Sequence, residues 1–423
     1  MRNRVVITGM GVCAPNGVGL KAFDEALAEG QSGIRFSEEL EKLNFGCQIG
    51  GTPQVNQELT DRYFSQLEQK GLNSTGMIYG VIAATDAWED AGLPPANDEP
   101  LWNTGIIFGT GILGVDKFRE SIYRVDEGNV RRLGSTAVIQ TMASGISAFL
   151  GGRFGCGNQV TTNSSACITG TEAIIMGAER IRNGLADSML VGSTSEGGPY
   201  VWGGFDAMRI LPRNYNDSPE QASRPMSAEA AGFVPGSGAG AFLIESLESA
   251  LSRNAVIYAE IAGGHINNGG QREGGSMTAP NSNAVQRCIR MALEDAGVNG
   301  SQISAINGHL TATAKDSTEI SNWKQALELE GGDFPLINSF KGSIGHCLAA
   351  AGSIESVGTV LQLHHGRIYK NVNAEPLHPE IKELIDTTKV PVETRYVQPE
   401  IIAKASFGFG DVNACVIFKK YNP

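Results

Sequence analysis

Three residues with reactive side chains have unusual settings in this chain: Cys167, His309 and His346. Cys167 follows the small and hydroxylated residues of TTNSSA and precedes an amphipathic run. This pattern predicts a helix capped by Ser164 and Ser165, with the cysteine sulfur at its first turn. The positive end of the helix dipole would favour a thiolate there, and therefore a nucleophile. The alternative is a cysteine packed among small residues in the core.

The two histidines differ from the rest in their surroundings. His309 ends the apolar segment ISAINGHL, so its ring should emerge at the carboxyl edge of a strand, where α/β proteins place ligands. His346 follows a glycine turn in FKGSIGHCLAAAG, which leads into a helix of small residues, and Lys341 lies five positions earlier. We expect the remaining histidines to be structural: His265 in a glycine-rich loop, His364 and His365 at a helix end, and His378 beside a proline.

A third segment, ASFGFGDVNACVIF at 405–418, combines aromatic rings with glycines. Gly408 and Gly410 free the backbone around Phe407 and Phe409. Such a segment can point an amide at a ligand while a ring covers it. Alone the pattern is weak, because aromatic-glycine turns before strands are common.

Alternating strands and helices must position these groups. Apolar, β-branched runs at 4–11, 104–111, 188–195, 240–247 and 413–421 alternate with helical segments, which predicts an α/β fold. AWEDAGL (87–93) recurs as ALEDAGV (292–298), each at a helix end and about a dozen residues before an apolar strand. The echo predicts a duplicated fold, with residues 1–250 carrying Cys167 and residues 251–423 carrying both histidines. The alternative is that DAG merely recurs as a helix stop.

Composition excludes several classes of protein. The net charge is −12 in 423 residues, so general attraction to nucleic acid or to an anionic membrane is not expected. The seven cysteines are scattered and form no CxxC pair, which argues against a disulfide framework and a zinc site. No apolar segment reaches the roughly 18 residues of a membrane span, and the first residues resemble a strand more than a signal peptide. We expect a cytoplasmic protein.

In order along the chain, SSAC, NGHLTAT, FKGSIGHCLAAAG and SFGFG resemble the motifs of the β-ketoacyl-acyl-carrier-protein synthases, the elongating condensing enzymes of the thiolase fold. The resemblance extends from RVVITGMGVCAPNG to the final strand. It implies two βαβαβαββ halves in five layers, α-β-α-β-α, normally as a homodimer. It also implies a decarboxylative condensation of an acyl thioester with malonyl-acyl-carrier protein, in fatty acid or type II polyketide and polyene synthesis.

The resemblance assigns catalytic roles to five positions. Cys167 would be acylated, and His309 and His346 would donate to the thioester oxygen of the enolate formed on decarboxylation. Lys341 would orient the histidine region. The backbone amides of Cys167 and Phe407 would bind the tetrahedral oxyanion, and the Phe407 ring would gate access to the thiol. No metal and no redox cofactor are expected, because both substrates carry their own activation.

The resemblance also assigns substrate and partner contacts. Thr311 and Thr313 would bond the phosphopantetheine arm of the acyl carrier protein, and Ile112 would line the acyl pocket. Phe409 and Glu355 are grouped with these substrate-binding residues, Glu355 through its effect on the histidine region. The predicted docking cations for an acidic carrier protein are Arg131, Arg132 and Arg209.

Some residues depart from the family pattern. The usual HGTST is HLTAT here, with Leu310 and Ala312, the loop to Glu319 is one residue shorter, and GFGG has become GFGD with Asp411. These changes surround the pantetheine entrance and bear on the identity of the substrate more than on the reaction. A second interpretation is a non-catalytic, chain-length-determining partner in a heterodimer, but such partners typically lose the cysteine.

Overall fold

The computed structural model describes residues 3–422, so the terminal residues 1, 2 and 423 of the two predicted halves lie outside it. The strands are, in chain order, β1 Val5–Ala14, β2 Gly17–Val18, β3 Ile34–Phe36, β4 Ile49–Gly51, β5 Thr104–Thr110, β6 Val160–Thr161, β7 Ser188–Ser195, β8 Gly238–Ser246, β9 Ala259–Asn268, β10 Ala305–Asn307, β11 Leu336–Asn338, β12 Arg367–Ile368, β13 Arg395–Tyr396, β14 Ile401–Gly408 and β15 Val412–Lys419. The five apolar runs predicted as strands are β1, β5, β7, β8 and β15.

The helices alternate with these strands. They are α1 Leu20–Glu29, α2 Glu38–Lys42, α3 Gln57–Tyr63, α4 Thr75–Asp90, α5 Val115–Asp126, α6 Ala137–Thr141, α7 Gly145–Phe154, α8 Thr169–Arg182, α9 Pro199–Ala207, α10 Leu247–Ser252, α11 Ser282–Ala296, α12 Asp316–Leu327, α13 Lys341–Ile344, α14 Ala351–His365 and α15 Pro379–Leu384. Short 3₁₀ turns cover Val130–Arg132, Pro219–Gln221, Gly300–Gln302, Leu348–Ala350 and Thr387–Lys389.

The main sheet repeats one strand order. Its path is β11-β10-β14-β15-β9-β1-β8-β7-β5-β6, so reading outward from the centre gives β1-β8-β7-β5-β6 on one side and β9-β15-β14-β10-β11 on the other. On both sides the first two pairings are antiparallel and the last two are parallel. The duplication predicted from the DAG echo is therefore present in the topology.

The helices form layers around the two halves of this sheet. α4 packs on β1 and β8 outside the first half, and α11 packs on β9 and β15 outside the second. α8 and α14 contact each other and strands of both halves, so they form the middle layer. The echo segments end α4 and α11, where Gly92 and Gly297 adopt a positive φ that stops each helix. The α/β fold with five α-β-α-β-α layers is confirmed.

Within residues 3–422, no helix combines the length and the apolar character needed to cross a bilayer. His265, which the sequence analysis places in a loop, lies in β9, because the glycines before it are part of that strand. His364 and His365 end α14, as predicted. His378, which is predicted to lie in a loop beside a proline, caps α15.

Candidate active site

Cys167 lies two residues before α8, just ahead of its first turn. The serine caps are wrong: the residue at the cap position is Ile168, and its side chain makes no capping bond. The physical reason is a tight turn at Ala166, whose φ is 48°. Thr169 holds this turn, because its hydroxyl accepts from the Ser165 N–H at 2.8 Å and donates to the Ala166 carbonyl at 2.7 Å.

The thiol is a weak acid at rest. Burial raises the pKa of Cys167 to about 11, although the positive charge of Lys341 and backbone N–H groups of Phe409 and Cys167 oppose the increase. Burial therefore opposes the thiolate that the helix start would favour, because the loss of solvent raises the pKa of Cys167 more than the nearby positive groups lower it. The donors around the sulfur are nevertheless those that would support negative charge as it develops.

The amide that faces the sulfur belongs to Phe409, and the prediction of Phe407 for this role is wrong. Phe407 lies inside β14, where it pairs with Asn413, whereas Phe409 lies in the turn beyond the strand and faces the start of α8. A Cβ at Gly408 would come within 3.1 Å of the Cys167 nitrogen, so this close approach favours glycine. The Phe407 ring lies against His309, with 6.0 Å between ring centroids.

The structure brings the two histidines to the cysteine. The sulfur of Cys167 and ring nitrogens of His309 and His346 lie within 4.8 Å of one another, and the two rings meet edge to face at 5.2 Å. His309 follows β10, and His346 follows a turn at Gly345, whose φ is 69°, as the sequence predicts. Cys167 lies 142 residues before His309, and His309 lies 37 residues before His346. The fold brings them together because their segments lie at corresponding ends of the two half-sheets.

One histidine has a defined tautomer. The Leu348 N–H donates to Nδ1 of His346 at 3.2 Å, so Nδ1 carries no proton and Nε2 of the neutral ring does. Burial, followed by the charge of Lys341, lowers the pKa of both His309 and His346 well below the ordinary value. At neutral pH both rings are therefore uncharged, and His346 presents an N–H donor from Nε2.

Lys341 and Glu355 lie behind the histidines and away from the substrate cavity. They are 1% and 0% exposed and form an ion pair. Lys341 is therefore a positioning residue, and the assignment of Glu355 to substrate binding is wrong, because neither side chain reaches the cavity. Glu355 also pairs with Lys404, at 2.6 Å. Sequence reasoning missed Lys404, although a single lysine inside the apolar strand IIAKASF is a visible signal.

Two more carboxylates that were not predicted as site residues shape the loop after His309. Glu319 accepts the backbone N–H groups of His309 and Leu310, each at 2.7 Å. Asp316 accepts those of Thr311 and Ala312 at 3.0 and 3.1 Å. These bonds hold Leu310 and Ala312 at positive φ values of 21° and 62°. Since the usual glycine and serine are absent here, the two carboxylates compensate for the strain.

A cavity of about 580 Å³ leads to the three reactive groups. Its lining includes the predicted Ile112, Thr311, Thr313, Phe407 and Phe409. Ile112 is 48% exposed although it lines the cavity, so this wall is open on one side.

Asp411 fixes one part of the cavity mouth. Its carboxylate is buried and accepts the N–H groups of Gln271 and Asn281 at 2.9 and 2.8 Å. The segment between them contributes Thr278 and Pro280 to the lining. The change from GFGG to GFGD thus fastens this segment to the turn that carries Phe409.

The predicted docking cations are all exposed: Arg131 and Arg132 in a 3₁₀ turn, and Arg209 beside the cavity-lining Ile210. Their role in docking stays a prediction. Within residues 3–422, Cys167, His309 and His346 are also the one group of side chains spaced closely enough to hold a metal. All three residues line the cavity.

Comparisons with known proteins agree with this geometry. Residues 2–250 match the family model described as "Beta-ketoacyl synthase, N-terminal domain", and residues 258–375 match the corresponding C-terminal domain. The 3-oxoacyl-[acyl-carrier-protein] synthase I, chloroplastic, of Arabidopsis thaliana is 34% identical over 100% of this chain and 88% of its own length. The 3-oxoacyl-[acyl-carrier-protein] synthase 2 of Vibrio harveyi is 34% identical over 99% of each chain.

Solved structures show the same fold. One is described as a type II PKS acyl-carrier protein in complex with its ketosynthase bound to the hexaketide, and it matches with a TM-score of 0.87 and 28% identity over 100% of both chains. The ishigamide ketosynthase/chain length factor matches with a TM-score of 0.88 and 26% identity, again over 100% of both chains.

Proposed function

This chain belongs to the β-ketoacyl synthase family, and on that premise we propose that it condenses an acyl thioester with malonyl-acyl-carrier protein to give 3-oxoacyl-acyl-carrier protein. The observation that carries the proposal is the meeting of the Cys167 sulfur with two uncharged imidazoles at the end of one cavity. The setting is chain elongation in fatty acid or type II polyketide synthesis.

The first half-reaction is acyl transfer to Cys167. The sulfur attacks the thioester carbonyl, a C–S bond forms, and the N–H groups of Phe409 and Cys167 bind the oxyanion. The old C–S bond then breaks, and the phosphopantetheine thiol leaves with the proton that the cysteine gives up. The proton passes from one sulfur to the other, while His346, whose Nε2 already carries a proton, remains an N–H donor.

The second half-reaction joins two carbon chains. Malonyl thioester loses carbon dioxide, and the electron pair of the broken C–C bond forms an enolate whose oxygen is stabilised by N–H donors from His309 and His346. The enolate carbon attacks the acyl-cysteine, so a new C–C bond forms and the C–S bond to Cys167 breaks. The Cys167 thiolate released in this step takes a proton from water, and no metal or redox cofactor is needed in this scheme because decarboxylation supplies the carbanion.

We propose a second copy of the chain as the partner that closes the cavity. α5 exposes Phe118, Ile122 and Tyr123 to between 47% and 58%, and it packs on α9 through Arg119, which lies 4.6 Å above the ring of the cavity-lining Tyr200. This apolar face adjoins the wall left open at Ile112. Light scattering of purified protein tests the homodimer, and Phe118→Lys should shift the mass towards a monomer. A mass that requires a different second chain would favour a heterodimer with a chain-length factor.

The decisive experiment follows carbon dioxide and protein-bound acyl groups. With acyl- and malonyl-carrier protein, the wild-type chain should release carbon dioxide and form a 3-oxoacyl product, and mass spectrometry should find the acyl group on Cys167. Acylation should vanish in Cys167→Ala and persist in the control variants Cys156→Ala and Cys347→Ala. Absence of carbon dioxide release by the wild type would overturn the proposal and favour the non-catalytic, chain-length-determining interpretation. A chelator should leave activity unchanged, and fractionation of cells should find the chain in the cytoplasm.

A further inference from the structure

Lys404 is a buried cation to which the reaction scheme assigns no role. It lies in β14 and its side chain is 0% exposed. Its ammonium donates to the Ala405 carbonyl at 2.6 Å and to the Ser406 hydroxyl at 3.3 Å, and it lies 2.6 Å from a carboxylate oxygen of Glu355. A charge removed from water needs such partners, and a fold that lacked a use for it would be served better by an apolar residue.

The carboxylate of Glu355 is shared between two lysines. One oxygen pairs with Lys341 on α13 and the other with Lys404 on β14. All three side chains are at most 1% exposed. These three side chains carry one negative and two positive charges, and the buried carboxylate of Glu319 on α12 is a fourth charged group close enough to act on Lys404. Lys404 supplies the second positive charge.

Lys404 is connected to both halves of the active site. Ser406, which accepts from the ammonium, also bonds Thr171 at 2.9 Å, in the helix that begins behind Cys167. The same strand continues to Phe407, which lies against His309. The ammonium is therefore held in one place relative to the nucleophile and the histidines.

We propose that Lys404 is a positioning residue for condensation: its ammonium holds Glu355 together with Lys341 and supplies a fixed positive charge that keeps His309 and His346 uncharged. The proposal deepens the proposed function and rests on it. It requires a rigid, buried charge, which the contacts of the ammonium provide.

The charged groups around the two rings set the sign of the effect. They are Lys341, Lys404, Glu355 and Glu319, from α13, β14, α14 and α12. Burial is the largest cause that lowers the pKa of either histidine, followed by Lys341, with Lys404 contributing in the same direction. Loss of the Lys404 charge should therefore raise both pKa values. Protonation at Nδ1 of His346 would displace the Leu348 amide and turn the donor away from the substrate.

The test is the pH profile of carbon dioxide release from malonyl-carrier protein. In Lys404→Met the acid limb, which is the part of the profile where the rate falls at low pH, should move up by about one pH unit. In Lys341→Met it should move further. Lys404→Arg, which keeps the charge, should return the limb towards the wild-type position. Lys117→Met is the matched control, because Lys117 is also a buried, paired lysine but lies on α5, and its acid limb should match the wild type.

Two outcomes would overturn the proposal: an acid limb that stays at the wild-type pH in Lys404→Met while the rate falls, or an equal displacement in Lys117→Met. NMR titration of ¹⁵N-histidine-labelled protein reads the same charge states without turnover, with His309→Ala and His346→Ala to assign the signals. If the wild type released no carbon dioxide, the proposed function would fail, while the NMR titration would still decide the effect of Lys404. Should Lys404→Met not fold, Lys404→Gln provides the neutral variant for both measurements.

Discussion

The two halves of the sheet end their equivalent elements in different chemistry. In the first half, β5 leads to Ile112 in the cavity wall, and α8 is preceded by Cys167. In the second half, the equivalent strand β10 leads to His309, and the segment before α14 carries His346. The shared topology therefore guarantees that four chain segments meet at the middle of the molecule. What differs is that one half supplies the cysteine and the other supplies both histidines.

The two halves also differ in the groups that bind a buried carboxylate. Glu196, at the end of β7, accepts the backbone N–H groups of Gly76, Gly114 and Val115 at 3.2, 2.7 and 2.7 Å, and the Ser74 hydroxyl at 2.6 Å. Glu355 in the second half is held by two lysines instead. Neutral donors fix the start of α4 and α5 without adding charge, whereas lysines add a field that acts on nearby groups. The first arrangement is structural, and the second tunes the histidines.

The largest effect is expected when either histidine that acts as a proton donor in the proposed mechanism is replaced. In His309→Ala or His346→Ala, condensation should fall about 100-fold to 1000-fold, since loss of an oxyanion donor costs about 2.7–4 kcal/mol. Some acylation of Cys167 should persist, because the amides around the sulfur are intact. Single-turnover assays that follow protein-bound acyl groups and carbon dioxide separately check this. Wild-type carbon dioxide release by both variants would remove the histidines from the mechanism.

The second prediction concerns the resting thiol. Because burial raises the pKa of Cys167 to about 11, its thiolate fraction should increase about tenfold per pH unit from pH 7 to beyond pH 9. Alkylation of Cys167 by a small uncharged reagent, followed by mass spectrometry, should show this slope. A rate that levels off below pH 9 would mean that the field at the start of α8 outweighs burial after all.

Cys167, His309 and His346, which the structure brings together, could be singled out from the sequence because each leaves a local signal. Cys167 and His346 follow small residues or a glycine turn, and His309 ends a short apolar strand. The duplicated DAG segments likewise predicted the two halves. These features lie within short stretches of sequence, so they can be recognised without knowing which residues pack around them.

The properties that the sequence did not predict correctly are those that depend on tertiary packing. The pKa of Cys167 depends on burial by segments far away in sequence, and the choice between the amides of Phe407 and Phe409 depends on where β14 ends. Lys404 was missed because a lysine in a strand is usually solvated, and only the fold shows that Glu355 lies beside it. Local pattern thus indicates candidate reactive groups, while tertiary contacts set their charge and orientation.

A third prediction sharpens the contrast between the two carboxylates. Glu196→Gln should destabilise the protein by about 2–4 kcal/mol, because the amide cannot accept from all of the donors that face this buried side chain. Its acid limb for carbon dioxide release should stay at the wild-type pH, unlike that of Lys404→Met. Denaturant unfolding and the pH profile measure the two effects. A displaced acid limb in Glu196→Gln would show that the first half also tunes the histidines.

The smallest effect is expected at the surface, where the carrier protein is predicted to dock. Both a net charge of −12 and an acidic carrier favour repulsion, so a local positive patch is needed, and Arg131, Arg132 and Arg209 are exposed. An exposed ion pair contributes only about 0.2–1 kcal/mol, so each Arg→Glu change should act modestly. Together they reverse three charges and should slow encounter, and the loss should shrink in 1 M salt, where the screening length is about 3 Å.

The matched control for this triple variant carries the same charge change on other helices: Lys21→Glu on α1, Arg290→Glu on α11 and Lys382→Glu on α15. The docking variant should lose kcat/KM for carrier-bound substrates and keep self-acylation from a small uncharged thioester, and the control should keep both. Equal losses in the two triple variants would assign the effect to net charge. Equal losses for the two substrate types would instead indicate damage at the active site, because an uncharged thioester reaches Cys167 through the same cavity without meeting the patch.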